Sequence, residues 1–237
     1  MSKNKDGFID IPFESANLDR YYIRRSVLLA LQEALPFFSG ALLDVGCGKM
    51  PYKKYIMEYS SVKQYTGLDL EGAIVYDKAI KADLFWDGER MPVQDSTFDT
   101  VLATEVLEHC PAPEKVLLEI HRVMKSGGIF FFTVPFLWNL HEVPNDAYRY
   151  TPFILQRLLN QSGFSEVTIK STGGWHASMA QMLGLWVRRS PMPKSTRKIL
   201  SVMLKPLILF LIRKDGSPNK KFSEGQMITG LYGWSKK

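Results

Sequence analysis

Residues 42 to 48 read Leu-Leu-Asp-Val-Gly-Cys-Gly, an apolar run that ends in an acid and opens into a Gly-X-Gly turn. Glycine at such positions lets the backbone turn sharply and lets a ligand lie against main-chain atoms with no Cβ in the way. Three ligand classes use a turn of this kind. A nucleoside triphosphate site needs Gly-Lys-Ser/Thr, but Gly48-Lys49 is followed by Met50, which gives Mg²⁺ no hydroxyl. A dinucleotide fingerprint needs a third glycine three residues after the second, and position 51 is proline. The class that remains carries no phosphate. It is a nucleoside with an ammonium, a positive sulfur and a ribose diol, groups that acidic residues at strand ends can receive.

S-adenosylmethionine has those groups, and acids recur at the required places. Asp44 could hold the ammonium beside the Gly46-Cys47-Gly48 turn, or brace the turn through backbone N–H groups. Asp69, followed by Leu70, could accept both ribose hydroxyls. Asp83-Leu84 could meet and cover the adenine, with a turn cap as the plain alternative for Asp83. Glu105 adds negative charge nearby. Cys47 reads as a small filler of the turn, because no base lies near it in sequence to activate a thiol.

The elements that must position these residues alternate. A helix is expected over Leu18–Leu35, ended by Pro36, then a strand at Ala41–Val45, a helix at Lys53–Tyr59 and a strand at Gln64–Leu70. A third strand is read at Ile80–Asp83 and a fourth at Phe98–Thr104. Pro113–Met124 is amphipathic, Ser126-Gly127-Gly128 breaks it, and Ile129–Val134 is strand-like. Thr151 and Pro152 are N-cap and first-turn residues of a helix running to Gln161. Glu166–Lys170 and Ile228–Trp234 are the last strands. Strands alternating with helices imply parallel βαβ units in an α/β sheet whose ligands lie at the strands' C-terminal ends.

In order, these residues resemble the class I S-adenosylmethionine-dependent methyltransferases, in particular the type 11 subgroup. The resemblance rests on Leu-Leu-Asp-Val-Gly-Cys-Gly (42–48), Tyr-Thr-Gly-Leu-Asp-Leu (65–70) and Ala-Asp-Leu (82–84). It extends through Met-Pro-Val-Gln-Asp-Ser-Thr-Phe-Asp-Thr-Val (91–101), Glu-Val-Leu-Glu-His (105–109) and Glu-Ile-His-Arg-Val-Met-Lys-Ser-Gly-Gly (119–128). It implies a doubly wound, Rossmann-like seven-stranded sheet of order 3-2-1-4-5-7-6 with the last strand antiparallel. It also implies a single methyltransferase domain over 1–237, with 173–223 a helical, basic insertion before the last strand.

The acceptor side falls after the fifth strand, at Asn139 to Tyr150, where a His-Glu-x-Pro-x-Asp-x-x-Arg-Tyr string resembles an acceptor loop of type 11 relatives. His141 is the expected general base and His109 the second candidate. Glu142, Asp146, Tyr148 and Arg149 are expected to bind the acceptor, though Asp146 and Arg149 could simply pair with each other. Glu108 reads as part of a helix start. Methyl transfer needs alignment and, for a hydroxyl acceptor, removal of a proton; it requires no metal and no cluster with metal-ligand spacing stands out, so no metal site is expected, with His141 and Glu142 the one pair that leaves a metal open.

Composition bounds the rest. Of 237 residues 46% are hydrophobic and 23% charged, which excludes disordered and collagen-like classes. Two cysteines cannot build a disulfide framework, and Met1 to Asp10 has no apolar signal core, so the cytoplasm is the expected compartment. The net charge of +6 is uneven: Arg188 to Lys237 holds twelve basic residues and two acids, and everything before it is net negative. An acidic body disfavours nucleic acid as a partner. The basic, apolar 173–223 segment points to a lipid-linked or membrane-proximal small molecule or glycan as acceptor, with peripheral contact at an anionic inner membrane surface. A lid or dimer surface on a soluble-metabolite methyltransferase is the alternative, and a non-catalytic S-adenosylmethionine-binding module a further one. Monomer and homodimer both fit.

Overall fold

The computed structural model describes residues 7–72, 79–216 and 221–237. Seven strands form one sheet: β1 (Ser39–Val45), β2 (Ser61–Leu70), β3 (Leu84–Trp86), β4 (Phe98–Thr104), β5 (Met124–Pro135), β6 (Ser165–Thr172) and β7 (Gly230–Lys236). Their order is β3-β2-β1-β4-β5-β7-β6, as the resemblance implies. All pairs are parallel except those of β7, which runs antiparallel to both β5 and β6. The helices are α1 (Tyr21–Ala34), α2 (Lys53–Tyr59), α3 (Pro113–Val123), α4 (Pro152–Gln161), α5 (Trp175–Arg189) and α6 (Lys194–Lys214).

The central strands alternate between two cores. Leu43, Val101, Phe130 and Phe132 face α3 and α4 on one side, packing on Val116, Ile120 and Leu155. Leu42, Leu102 and Phe131 face the other side, against Val27 and Leu31 of α1 and Ile56 of α2. Adjacent residues of one strand thus bury themselves on opposite faces, the period-2 geometry of a strand covered twice.

Two expectations about elements fail. The third strand is Leu84–Trp86, not Ile80–Asp83. Its register pairs Leu68 with Leu84 and Asp69 with Phe85, so the aromatic Phe85-Trp86 segment supplies the strand and Asp83 precedes it. Ser126-Gly127-Gly128 does not separate α3 from the next strand: β5 begins at Met124, and Gly127, with φ 76°, lies within it.

Between β6 and β7 stand α5 and α6. Ala180 of α5 and Ile208 of α6 bury against Leu18. Gln181 Nε2 donates to the Asp19 carbonyl at 2.9 Å and Arg189 Nε to the Asp19 carboxylate at 2.7 Å. Gly184 makes this docking possible, because a Cβ there would lie 2.8 Å from the Leu18 carbonyl carbon and closer still to its oxygen. Gly184→Ala is therefore expected to destabilise the protein by about 1–3 kcal/mol through overpacking, measured as a lowered midpoint of chemical denaturation. An unchanged midpoint would show that α5 is not held against this segment.

Candidate active site

The crevice is built where β1, β2, β4 and β5 end. After β1 the chain turns through Gly46 (φ 64°) and Gly48 (φ 50°). A Cβ on Gly46 would lie 2.6 Å from a methyl of Val106, so the turn is pressed against the segment after β4 and only glycine fits there. The Gly48 N–H donates to Asp69 Oδ2 at 3.1 Å, and the Leu70 N–H donates to Asp69 Oδ1 at 2.9 Å. The turn and the acid 21 positions later are one hydrogen-bonded unit. Burial pushes the Asp69 carboxyl up, opposed by these two backbone donors.

Asp44 is 2% exposed, and the Tyr65 hydroxyl donates to its Oδ2 at 2.5 Å. Burial raises its pKa to about 7 in spite of that bond, with the negative charge of Asp69 adding to the rise. Asp44 is therefore poised between acid and carboxylate near neutrality, where a cation alongside would draw off the proton. Asp83 does not stand at a strand end: its carboxylate accepts the Gly67 N–H at 2.7 Å, level with the interior of β2, and Leu84 opens β3. The residue that follows β3 is Asp87, whose Oδ1 accepts the N–H groups of Glu89 and Arg90.

On the facing side Glu105 takes a left-handed backbone, φ 55°, an uncommon conformation for a residue with a side chain. Thr133 of β5 fixes it. The Glu105 N–H donates to the Thr133 carbonyl at 3.0 Å, and the Thr133 hydroxyl donates to Glu105 Oε1 at 2.8 Å. Glu108 sits in a short 3₁₀ turn, Leu107–His109, and is fully buried. Burial first, and then the charge of Glu105, holds its carboxyl well above the usual range. Its backbone carbonyl accepts the N–H groups of Ala147 and Tyr148, which ties the loop after β5 to this turn.

That loop is organised by Asp146, whose side chain is 2% exposed. Arg149 donates to it twice, at 2.6 and 2.8 Å, and the His141 N–H donates at 3.1 Å. The guanidinium holds the Asp146 carboxyl far below the usual range. The Tyr148 hydroxyl donates to the Pro111 carbonyl at 3.2 Å. Asp146 and Arg149 thus bond mainly to each other and to the loop. His141 reaches His109 with ring centroids 4.7 Å apart, and His109 Nε2 lies 3.8 Å from Glu142 Oε2. Burial lowers the His141 pKa, so its imidazole is neutral near pH 7.

Sequence reasoning placed the two histidines and Glu142 in one region, and the structure brings them together. It passed over Tyr65, Thr133 and the burial of Glu108. Tyr65 stood inside the quoted motif, and Glu108 three residues after Glu105, as signals that could have been used. A separate cavity of about 600 Å³ lies among α1, α6 and the end of β6, bordered by Tyr22, Glu33 and Arg213; none of the catalytic, cofactor-binding or acceptor-binding residues expected from sequence lines it.

The acids beside the glycine turn fit S-adenosylmethionine: a carboxyl at the turn for a cation, and a second one, Asp69, at the end of the next strand for a diol. A testable consequence concerns protons. Because the Asp44 pKa is about 7 in the folded protein, a cationic ligand must displace its proton below that pH. Affinity for S-adenosylmethionine should rise as pH goes from 6 to 8, and calorimetry in buffers of different ionisation enthalpy should show up to about half a proton released at pH 7, and more toward pH 6. No proton release would remove Asp44 from the ligand's charge environment.

Residues 43–132 match a family model described as a methyltransferase domain. The chain is 28% identical over 134 residues to a malonyl-[acyl-carrier protein] O-methyltransferase of Alcanivorax borkumensis, covering 54% of this chain and 45% of that protein. It is 30% identical over 126 residues to a fatty-acid O-methyltransferase of Mycolicibacterium smegmatis, covering 51% and 45%. The chain thus spans less than half the length of these curated relatives. In fold it is similar to the phosphoethanolamine N-methyltransferase 2 of Haemonchus contortus in complex with S-adenosyl-L-methionine, with a TM-score of 0.54, 13% identity, and coverage of 100% of this chain and 60% of that one. Residues 43–132 thus match a methyltransferase domain, and the sheet order is the one implied by the resemblance to class I S-adenosylmethionine-dependent methyltransferases.

Proposed function

We propose that this chain is an S-adenosylmethionine-dependent O-methyltransferase whose acceptor is lipid-linked or presented close to a membrane. The observation that carries the methyltransferase reading is the hydrogen bond between Gly48 and Asp69, which joins the glycine turn to a carboxylate at the next strand end, with Asp44 behind it. Asp69 would take the ribose hydroxyls, Asp44 would balance the ammonium, and Gly46, Cys47 and Gly48 would supply backbone against the ligand. When bound, S-adenosylmethionine supplies a methyl carbon made electrophilic by the positive sulfur.

The chain's own task is then to bring an oxygen of the acceptor into line at ~3–3.5 Å and to deal with its proton. His109 and His141, whose rings lie 4.7 Å apart beside Glu142, would serve the second task. Asp146 and Arg149 act as positioning residues, because their mutual bond and the bond from the His141 N–H fix the loop that carries the imidazole.

The acceptor class is read from α5 and α6. Trp175, Met179, Met182 and Trp186 form an exposed stripe along α5, and Ile199, Val202, Met203 and Phe210 another along α6. Lys194, Lys198 and Lys214 are exposed beside them. No described helix is long and apolar enough to cross a membrane. An amphipathic surface with cations beside it suits contact with an anionic bilayer, where each basic residue contributes on the order of 1 kcal/mol. The fatty-acid and acyl-carrier-protein methyltransferases among the relatives support an acyl-bearing acceptor.

Two measurements test this. With radiolabelled S-adenosylmethionine and a cell extract, His141→Ala should lower labelling of the product by ~10²–10⁴-fold while calorimetry shows cofactor affinity retained; undiminished labelling would leave His141 a scaffold residue. In flotation with vesicles containing phosphatidylglycerol, the wild type should float and a Met203→Glu/Phe210→Glu double variant should not. Equal behaviour of the two, or no flotation of either, would favour a soluble acceptor.

A further inference from the structure

We propose that Glu108, His109 and His141 form a binding site for one first-row divalent metal ion, beside the cofactor crevice. Each of the three offers a ligand atom, and these atoms lie within 4.8 Å of one another. Opposed ligands of a six-coordinate ion with bonds of ~2.1 Å stand ~4.2 Å apart, so small side-chain adjustments close the site. The sequence reading expected no metal, because the three residues come from two separate segments. They meet because β4 and β5 are neighbours in the sheet and both segments leave at its C-terminal end.

Three observations point to an ion. Glu108 is fully buried, and neither of its carboxylate oxygens has a hydrogen-bond partner among the described residues. A buried carboxylate in that state is costly, and a protonated carboxyl would still need an acceptor for its O–H. His109 Nε2 is 3.7 Å from Glu108 Oε1, too far for a hydrogen bond and spaced as two ligands of one centre are. Finally, an acceptor orients the outer nitrogen of the His109 ring, and a carboxylate lies close to that of His141. His109 Nδ1 meets the Asn145 carbonyl at 3.2 Å, and His141 Nδ1 lies 3.3 Å from Asp146 Oδ2. With its proton held at Nδ1 by that carbonyl, His109 offers its lone pair at Nε2, the arrangement found behind metal-bound histidines, while the buried His141 Nδ1 makes no hydrogen bond among the described residues.

The donor set decides the kind of ion. Two imidazoles and one carboxylate suit manganese, iron, cobalt or zinc, whereas magnesium and calcium prefer oxygen ligands throughout. No thiolate takes part: the Cys110 thiol donates to the Val106 carbonyl, and burial pushes its pKa to about 12. Three protein ligands leave coordination positions open to a fourth donor. Resting on the methyltransferase reading, that donor is the acceptor hydroxyl. On the ion it loses its proton to water, its oxygen forms the bond to the methyl carbon, the carbon–sulfur bond breaks, and sulfur keeps the electron pair. The imidazoles then serve as ligands, and the ion lowers the hydroxyl's pKa.

Cobalt(II) is the probe. Metal-free full-length protein titrated with Co²⁺ should show saturable visible absorption bands at one ion per chain. Glu108→Gln and His141→Ala should each weaken binding more than about 100-fold, and Asp146→Asn, which removes the charge that Arg149 and the His141 N–H hold beside the ring, by about 10–100-fold. Calorimetry with S-adenosylmethionine on the same samples confirms that each variant is folded. Should a variant fail to fold, anomalous scattering from a Co²⁺-soaked wild-type crystal locates the ion directly. Density between Glu108, His109 and His141 supports the site. Density only at His121 or His176, absence of saturable binding, or affinity unchanged in the folded variants overturns it. If the cofactor binds and the metal does not, the methyltransferase reading stands without the ion; if the metal binds and the cofactor does not, the ion site stands alone.

Discussion

Negative charge taken out of water at the C-terminal edge of the sheet is the constraint around which this molecule is arranged. Asp44, Asp69, Glu105 and Glu108 all have carboxyl groups raised by burial. Each receives less than full compensation: one hydroxyl for Asp44, two backbone N–H groups for Asp69, one hydroxyl for Glu105. The nearby Arg149 eases Glu105 and Glu108 but gives its bonds to Asp146. Uncompensated buried charge is expensive, so a fold keeps it where a positive partner arrives from outside. Here the carboxyls divide into two groups, Asp44 and Asp69 around the glycine turn, and Glu105 and Glu108 across from it beside the two histidines.

The doubly covered sheet makes this tolerable. Strands β1, β2, β4 and β5 are parallel neighbours, so all of them end on the same side. Their interiors are filled from both faces by aliphatic and aromatic side chains, which places the stability of the fold away from the crevice. The edge can then hold strained and charged residues. Glu105 is left-handed without being glycine, and Gly46 is packed too tightly for any other residue. Strain of this kind persists where the surroundings fix it, as Thr133 does for Glu105.

Much of this was legible in the sequence because it is local. The apolar runs of β1 and β4, the Thr151-Pro152 start of α4 and the Gly46-Cys47-Gly48 turn each declare themselves within a few residues, whereas the sheet order came only through the family resemblance that the motifs carry. The third strand was misplaced because its pairing is set by β2: Ile80-Lys81-Ala82 looks as extended as Leu84-Phe85-Trp86, and only the register with Leu68 and Leu70 chooses between them. Glu108 was read as a helix start because nothing near it in sequence signals burial. The loop of residues 139–149 folds back over it, with Ala147 and Tyr148 bonded to its carbonyl, and that is a tertiary event. The role of Asp146 was half visible: its spacing to Arg149 suggested the pair, while its contact with His141 needed the folded loop.

The most direct test of the account is a crystal structure of the chain with S-adenosylmethionine. The account predicts the nucleoside at the C-terminal ends of β1 and β2, its ribose hydroxyls within hydrogen-bond distance of the Asp69 carboxylate and its methyl group turned toward His109 and His141. A nucleoside bound elsewhere, for instance in the cavity bordered by Tyr22 and Arg213 with the glycine turn unvisited, would contradict it.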